Sequence, residues 1–321
     1  MEKAPLFEAV AEGPPGGAAW WLRAADGVRI RIGVWPKSGA RGTVFLFSGR
    51  TEYVEKYGRT AADLAARGYA MLSVDWRGQG LADRATADRA VGHVDNFSEY
   101  QLDVAALTEA AAALSLPRPW HMLAHSMGGC IGLRTLMGAH GFEAVAFSAP
   151  MWGLLIAPAV LPFAWMTTAA AGPLGLGHLI APGTAAETYV KSAGFEGNLL
   201  TRDPEMYAYM QRQVAAHPEL ALGGPSMTWV YAALRETRSL SRLPAPDCRA
   251  YTALGTAEQI VETTRIKQRM AEWPGSRLEL YQGAEHEIPM ELPVHRNRFL
   301  DRAVSHFEGG SAKGAPHAAT R

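Results

Sequence analysis

Cysteine is nearly absent, with two in 321 residues, and Cys130 and Cys248 lie too far apart for CxxC spacing. That excludes a disulfide-stapled scaffold and a cysteine zinc site, and it fits a reducing compartment. Net charge is absent as well: 31 Lys and Arg balance 31 Asp and Glu, with no basic block. Nucleic-acid binding depends on neutralising phosphates, so no nucleic-acid partner is expected. The opening Met1-Glu2-Lys3-Ala4-Pro5-Leu6-Phe7 lacks the apolar stretch of a secretory signal, and a cytoplasmic location is the default. Most unusual is the absence of any Asp, Glu, Lys or Arg between Ala144 and Ala186. An uncharged run of that length raises the question of a membrane span, but Pro158, Pro162, Gly172, Pro173, Pro182 and Gly183 cut it into pieces too short to cross a bilayer.

What is present is a large apolar fraction, 48% of residues, arranged as alternating strand-like and helix-like runs. Val28–Val34 alternates polar and apolar residues and reads as a half-exposed antiparallel strand. Runs at 43–47, 70–74, 120–123, 143–147 and 250–254 are apolar almost throughout, as strands covered on both faces must be, and 278–281 is a plausible last strand. Helical spacing recurs near 53–67, 98–115, 126–139, 260–271 and 291–307. This alternation predicts an α/β fold, a mostly parallel sheet flanked by helices. Residues 151–240 break the rhythm and read as an inserted helical cap whose apolar faces cover a pocket; Tyr207, Met210, Trp229 and Tyr231 fall in its more polar helices. The expected layout is a flexible arm over 1–17, a core from 18–150 and 241–308, the cap between them, and a disordered tail over 309–321.

The hexapeptide Ala124-His125-Ser126-Met127-Gly128-Gly129 sits between the strand ending near Leu123 and the helix that follows. Small residues two positions either side of a serine at such a junction let the chain reverse sharply and project the hydroxyl above the sheet, which is the pattern of a nucleophile elbow. Ala124 replaces the usual glycine with one extra methyl. A serine hydroxyl needs a base to take its proton, and His286 qualifies because its loop directly follows the last strand, at the carboxyl edge where ligands gather in open sheets. His125 adjoins the serine, but its side chain is expected to point away into the fold. The acid that orients the base is expected in the loop after 250–254, where Glu258 is the choice, with Glu262 as rival and Asp247 less favoured because it precedes the strand. Backbone N–H donors for a developing oxyanion are expected from Met127 and from Arg50, in the Ser48-Gly49-Arg50-Thr51 turn.

Ser126, Glu258 and His286 in that order, with Ser48–Tyr53, Asp75-Trp76-Arg77-Gly78-Gln79-Gly80 and the Ser126 hexapeptide, resemble an α/β-hydrolase over about residues 25–308. Within that fold the resemblance is to serine hydrolases such as monoacylglycerol lipases and bacterial lysophospholipases. It implies a cap inserted after the strand ending near Ser148, where the uncharged stretch begins. Ser48 stands where that group often has histidine, and Glu258 where it usually has aspartate; no needed functional group is lost. Asp75 and Arg77 read as residues that tie loops together beside the site. The expected chemistry is hydrolysis of an apolar acyl ester through an acyl-enzyme, with no cofactor or metal. The partner is then a small ester or lipid, and the cap would suit transient contact with a membrane or micelle, so a peripheral membrane location is the variant of the cytoplasmic one. A small-ester esterase or acyltransferase with the same triad is one alternative, and a catalytically silent binding protein is another. An aspartate-nucleophile dehalogenase or epoxide hydrolase is disfavoured by the serine.

Overall fold

In the computed structural model, which describes residues 1–309, nine strands form one sheet among the described residues. They are β1 (Glu2–Ala4), β2 (Ala18–Arg23), β3 (Arg29–Trp35), β4 (Thr43–Phe47), β5 (Ala70–Asp75), β6 (Trp120–His125), β7 (Phe142–Ser148), β8 (Ala250–Gly255) and β9 (Arg277–Tyr281). Their order across the sheet is β1-β2-β3-β5-β4-β6-β7-β8-β9. The pairings among β1, β2, β3 and β5 are antiparallel, and every pairing from β5 through β4 to β9 is parallel. The alternating run at 28–34 is antiparallel to its neighbours, but it is not half-exposed: every residue from Ile30 to Trp35 is buried, and Arg31 is accommodated because Glu55 and Asp75 pair with its guanidinium.

The continuous apolar runs are explained by the two faces they serve. Along β4, Phe45 and Phe47 pack into one core while Val44 and Leu46 pack into the other, because successive side chains point to opposite sides of a strand. The first core is closed by α3 (Tyr100–Ala113), α4 (Met127–Leu136) and α9 (Thr263–Ala271), through Leu107, Ile131 and Ile266 among others. The second is closed by α2 (Gly58–Ala66) and α10 (Pro293–Phe307), through Leu64, Phe299 and Leu300. Asp75, at the end of β5, accepts from the Val54 and Leu81 amides and from Arg31, and Arg77 holds Asp103 and Asp26. Both residues tie loops to the sheet.

Between β7 and β8 the chain makes α5 (Leu161–Ala171), α6 (Tyr189–Ser192), α7 (Pro204–Ala216) and α8 (Met227–Leu240), and the described residues there hold only isolated bridges and no strand. Trp165 of α5 packs edge-on against Tyr231 of α8. Among the described residues, no helix is long and apolar enough to cross a membrane.

Residues 1–17 correct the expectation of a loose arm. Besides edge strand β1 they form a helical turn, α1 (Glu8–Ala11), and Ala11 is buried. Small residues make the segment look unanchored, yet they permit close approach: a Cβ on Gly13 would lie 2.3 Å from Trp35 Nε1. The tail expected over 309–321 lies outside the described residues apart from Gly309.

Candidate active site

Ser126 is the hinge between β6 and α4, with φ 49° and ψ −118°, a conformation that residues other than glycine rarely adopt. Such strain costs about 1–3 kcal/mol and persists only where the surroundings enforce it. Here the Ser126 amide donates to the Ser148 carbonyl at 3.1 Å, and the Ser126 carbonyl accepts from the Gly129 and Met151 amides, each at 2.8 Å. The small neighbours are sterically required. A Cβ on Gly128 would lie 2.1 Å from the Phe47 carbonyl oxygen, and one on Gly129 would lie 2.5 Å from Pro150. Behind Ala124, residue 132 is glycine: a Cβ there would lie 2.9 Å from the Met122 sulfur and in ordinary contact, 3.4 Å, with the Ala124 methyl.

His286 follows β9 and is buried, and its Nδ1 donates to Glu258 Oε2 at 2.7 Å. That bond leaves Nε2 as the basic nitrogen of the neutral ring. The other Glu258 oxygen accepts from the Ile260 and Val261 amides at 2.6 and 3.1 Å. Burial works to raise the Glu258 carboxyl, but the His286 charge, its hydrogen bond and the two amides hold it below the ordinary range. The rivals are elsewhere. Glu262 caps α9 by accepting from the Thr264 amide, and Asp247 is exposed ahead of β8.

Ser126, His125 and His286 open onto a cavity of about 410 Å³ whose other walls include Leu154, Met210 and Val214. Met127, as the first residue of α4, has an amide with no acceptor inside the helix. Arg50 stands at the tip of the turn after β4, where Thr51 has φ 64°. This turn is pinned from below: Gln79 Nε2 donates to the Gly49 and Glu52 carbonyls, and the Glu52 carboxylate accepts the Gly49 amide.

Sequence reasoning missed what lies beneath. Lys56 Nζ bridges Glu52 Oε1 at 2.8 Å and Glu287 Oε1 at 2.7 Å, and Tyr57 donates to Glu52 at 2.5 Å, all buried. Burial would raise the Glu52 carboxyl, but Lys56 and His125 with the Lys56 and Tyr57 hydrogen bonds hold it at about 2. Burial prevails for Glu287 and leaves its carboxyl above the ordinary range. Glu52, His125 and Glu287 are close enough to hold a metal ion, but the Lys56 ammonium already sits between the two carboxylates. The only advance signal was the four-residue spacing of Glu52 and Lys56. His125 departs in part from expectation: its Nδ1 donates to the Ser148 carbonyl at 3.0 Å, yet its ring lies 4.7 Å from the His286 ring, centroid to centroid, and reaches the cavity wall. Burial, opposed by Glu52, pushes its pKa down to about 3, so the ring is neutral.

A family model described as "Serine aminopeptidase, S33" matches residues 38–293. "Probable lysophospholipase L2" of Haemophilus influenzae is 30% identical over 276 residues, covering 85% of this chain and 86% of that protein. "Lysophospholipase L2" of Escherichia coli is 31% identical over 278 residues, covering 82% and 79%. Among solved structures, a soluble variant of monoglyceride lipase from Saccharomyces cerevisiae superposes with a TM-score of 0.68 at 19% identity, covering 90% of this chain and 94% of that one, and so shares the fold. A fold with a mostly parallel sheet and a helical insertion, a family match over most of the length and relatives at this identity agree: the chain belongs to the serine aminopeptidase S33 family of α/β-hydrolases.

Proposed function

We propose that Ser126, Glu258 and His286 form the catalytic triad of this carboxylic ester hydrolase and that it acts on esters of apolar acyl chains, of the monoacylglycerol or lysophospholipid type. The observation that carries the reading is the strained Ser126 opening onto one cavity with His286, whose imidazole is held by Glu258 at 2.7 Å. His286 Nε2 takes the hydroxyl proton as Ser126 Oγ attacks the ester carbonyl. The amides of Met127 and Arg50 stabilise the oxyanion, each worth on the order of 10²–10³ in rate. The alcohol leaves with the proton from His286, and water activated by the same nitrogen then releases the acid from Ser126. Glu258 holds the ring in the tautomer this sequence needs and stabilises its protonated form.

Support for an apolar acyl chain comes from the cavity wall, where Leu154, Met210 and Val214 would bury methylenes at about 0.8 kcal/mol each. The names of the two relatives, each a lysophospholipase L2, point the same way. The cap adds a surface for reaching aggregated lipid: Phe163 and Met166 on α5 are 62% and 61% exposed on a helix without a charge. Replacing the nucleophile is the direct test. Ser126→Ala should lose roughly 10⁴-fold or more in kcat on acyl esters and should no longer be labelled by a fluorophosphonate. Full turnover by that variant would remove the triad, and a rate profile that declines as the acyl chain lengthens would remove the lipid substrate in favour of a small ester.

A further inference from the structure

Arg50 contributes more than its main chain. Its side chain runs from the turn after β4 up to the cap, where Nη2 donates to the Gly223 carbonyl at 2.6 Å and the guanidinium lies 5.3 Å from the centre of the Trp229 ring. Nε is buried and has no partner, and among the described residues no carboxylate pairs with the group. Arg31 is matched by Glu55 and Asp75, and Arg77 by Asp103 and Asp26, while Arg269, buried without a carboxylate, is held by the Leu240, Leu243 and Pro244 carbonyls; Arg50 differs from all three in keeping a buried N–H unsatisfied. A buried charge without a counter-ion is costly, and natural interiors rarely leave one so. Burial lowers the Arg50 pKa to about 10, with Tyr100 opposing, so the group is still a cation at neutral pH.

The position of this cation gives it a use. Arg50 lines the cavity that holds Ser126 and also a second, more open cavity of about 490 Å³. The two share Thr51, Thr184 and Tyr189 as well, and Ser192 adds another hydroxyl to the second. Glu187, the carboxylate on that wall, lies 3.4 Å from Lys191 and is balanced by it. On the first cavity's wall, Glu52 and Glu287 are both held by Lys56. Both cavities are mainly apolar with a few hydroxyls, and the Arg50 guanidinium, which has no carboxylate partner among the described residues, stands on the wall of each. Resting on the triad reading above, we infer that Arg50 is a specificity residue that receives the phosphate of the leaving alcohol, so that the enzyme prefers a lysophospholipid to a neutral monoacylglycerol of the same acyl chain. The guanidinium fork suits phosphate oxygens, and its Nε has a hydrogen bond still to give.

The test compares kcat/KM on lysophosphatidylglycerol and on monoacylglycerol with one acyl chain, for the wild type, Arg50→Met and Arg50→Lys. Arg50→Met keeps the apolar stem and removes the charge. The ratio of the two kcat/KM values should fall roughly 10- to 100-fold, the worth of one charge-assisted hydrogen bond, and Arg50→Lys should restore part of it. Soluble glycerol phosphate should compete with substrate in the wild type and lose that ability in Arg50→Met, which separates recognition of phosphate from an effect of lipid presentation. A wild type without preference for the phosphate-bearing substrate, or a parallel loss on both substrates in Arg50→Met with no recovery of the ratio in Arg50→Lys, would overturn the inference. Ser126-dependent turnover of either lipid by the wild type tests the triad reading independently of the ratio.

Discussion

Glu52 shows how a residue outside the proposed triad can set the shape of the site. Its carboxylate accepts the Gly49 amide at the turn that carries Arg50, and it shares Lys56 with Glu287, the neighbour of His286. The ion pairs therefore join the expected oxyanion turn to the histidine loop. A carboxyl held below its ordinary value gives stability that is complete above that value and is lost as pH falls through the folded one. For Glu52 the window runs from 4.5 down to about 2, while Glu287, raised by burial, works in the opposite sense. Glu52→Gln should therefore flatten the fall of the urea midpoint with acidification over the part of that window in which the protein is folded. Equal slopes for variant and wild type would show that this carboxylate does not carry the acid sensitivity. The network was illegible in the chain because Lys56 and Glu287 are 231 positions apart and charged residues normally read as a solvated face. The positions of the candidate residues Ser126, Glu258 and His286 were legible for the opposite reason: each sits at a junction that strand and helix patterns mark out locally.

At the scale of elements, most of the strands that could be read are buried on both sides, the edge strand β9 being the exception. Phe45 and Val44 must both be apolar when each face of β4 is covered, so the pattern survives in a short window. β1 and β2 were missed because their order comes from pairing, Glu2 with Trp21 and Ala18 with Val34, which no local window contains. The cap was visible as missing charge, and α5 explains why that mark is so strong. It is apolar all round, yet it touches α8 on one side only and leaves Phe163 and Met166 in water. A soluble helix normally confines its apolar residues to one stripe, so the second face calls for an apolar partner. If that partner is the lipid surface, Phe163→Glu with Met166→Glu should leave hydrolysis of a dispersed short-chain ester within about twofold of wild type, neither residue lining the Ser126 cavity. On the same acyl ester presented in anionic or neutral vesicles the variant should fall several-fold, with a matching loss of co-sedimentation. Unchanged vesicle binding and turnover would sink the lipid contact and leave α5 unexplained.

At the scale of the whole molecule, the N-terminal segment is a strap between the sheet and the helix that walls the cavity. Pro5 offers its carbonyl to buried Arg31 at 2.9 Å, and the Phe7 amide donates to Glu55 at 3.2 Å, which fastens the strap to the core. On the other side, Tyr209 and Gln213 of α7 donate to the Ala11 and Val10 carbonyls at 2.6 and 2.8 Å, and Phe7 stacks on His217, centroids 3.5 Å apart. The same helix presents Met210 and Val214 to the cavity. Removing residues 1–12 would leave buried donors short of acceptors, at about 1 kcal/mol for each lost bond. Several such losses together should lower the melting temperature by roughly 5–10 °C. Because α7 would lose its tether on the face next to the one that lines the cavity, KM should rise more for long acyl chains, which reach Met210 and Val214, than for acetyl or butyryl esters. A shift in Tm with no change in chain-length dependence would make the strap a matter of stability alone. A truncated enzyme matching the full chain in both would make the segment as loosely attached as its small residues first suggest, with the hydrogen bonds from Tyr209 and Gln213 replaced by their second acceptor, the Glu55 carbonyl, at 3.0 Å from each donor.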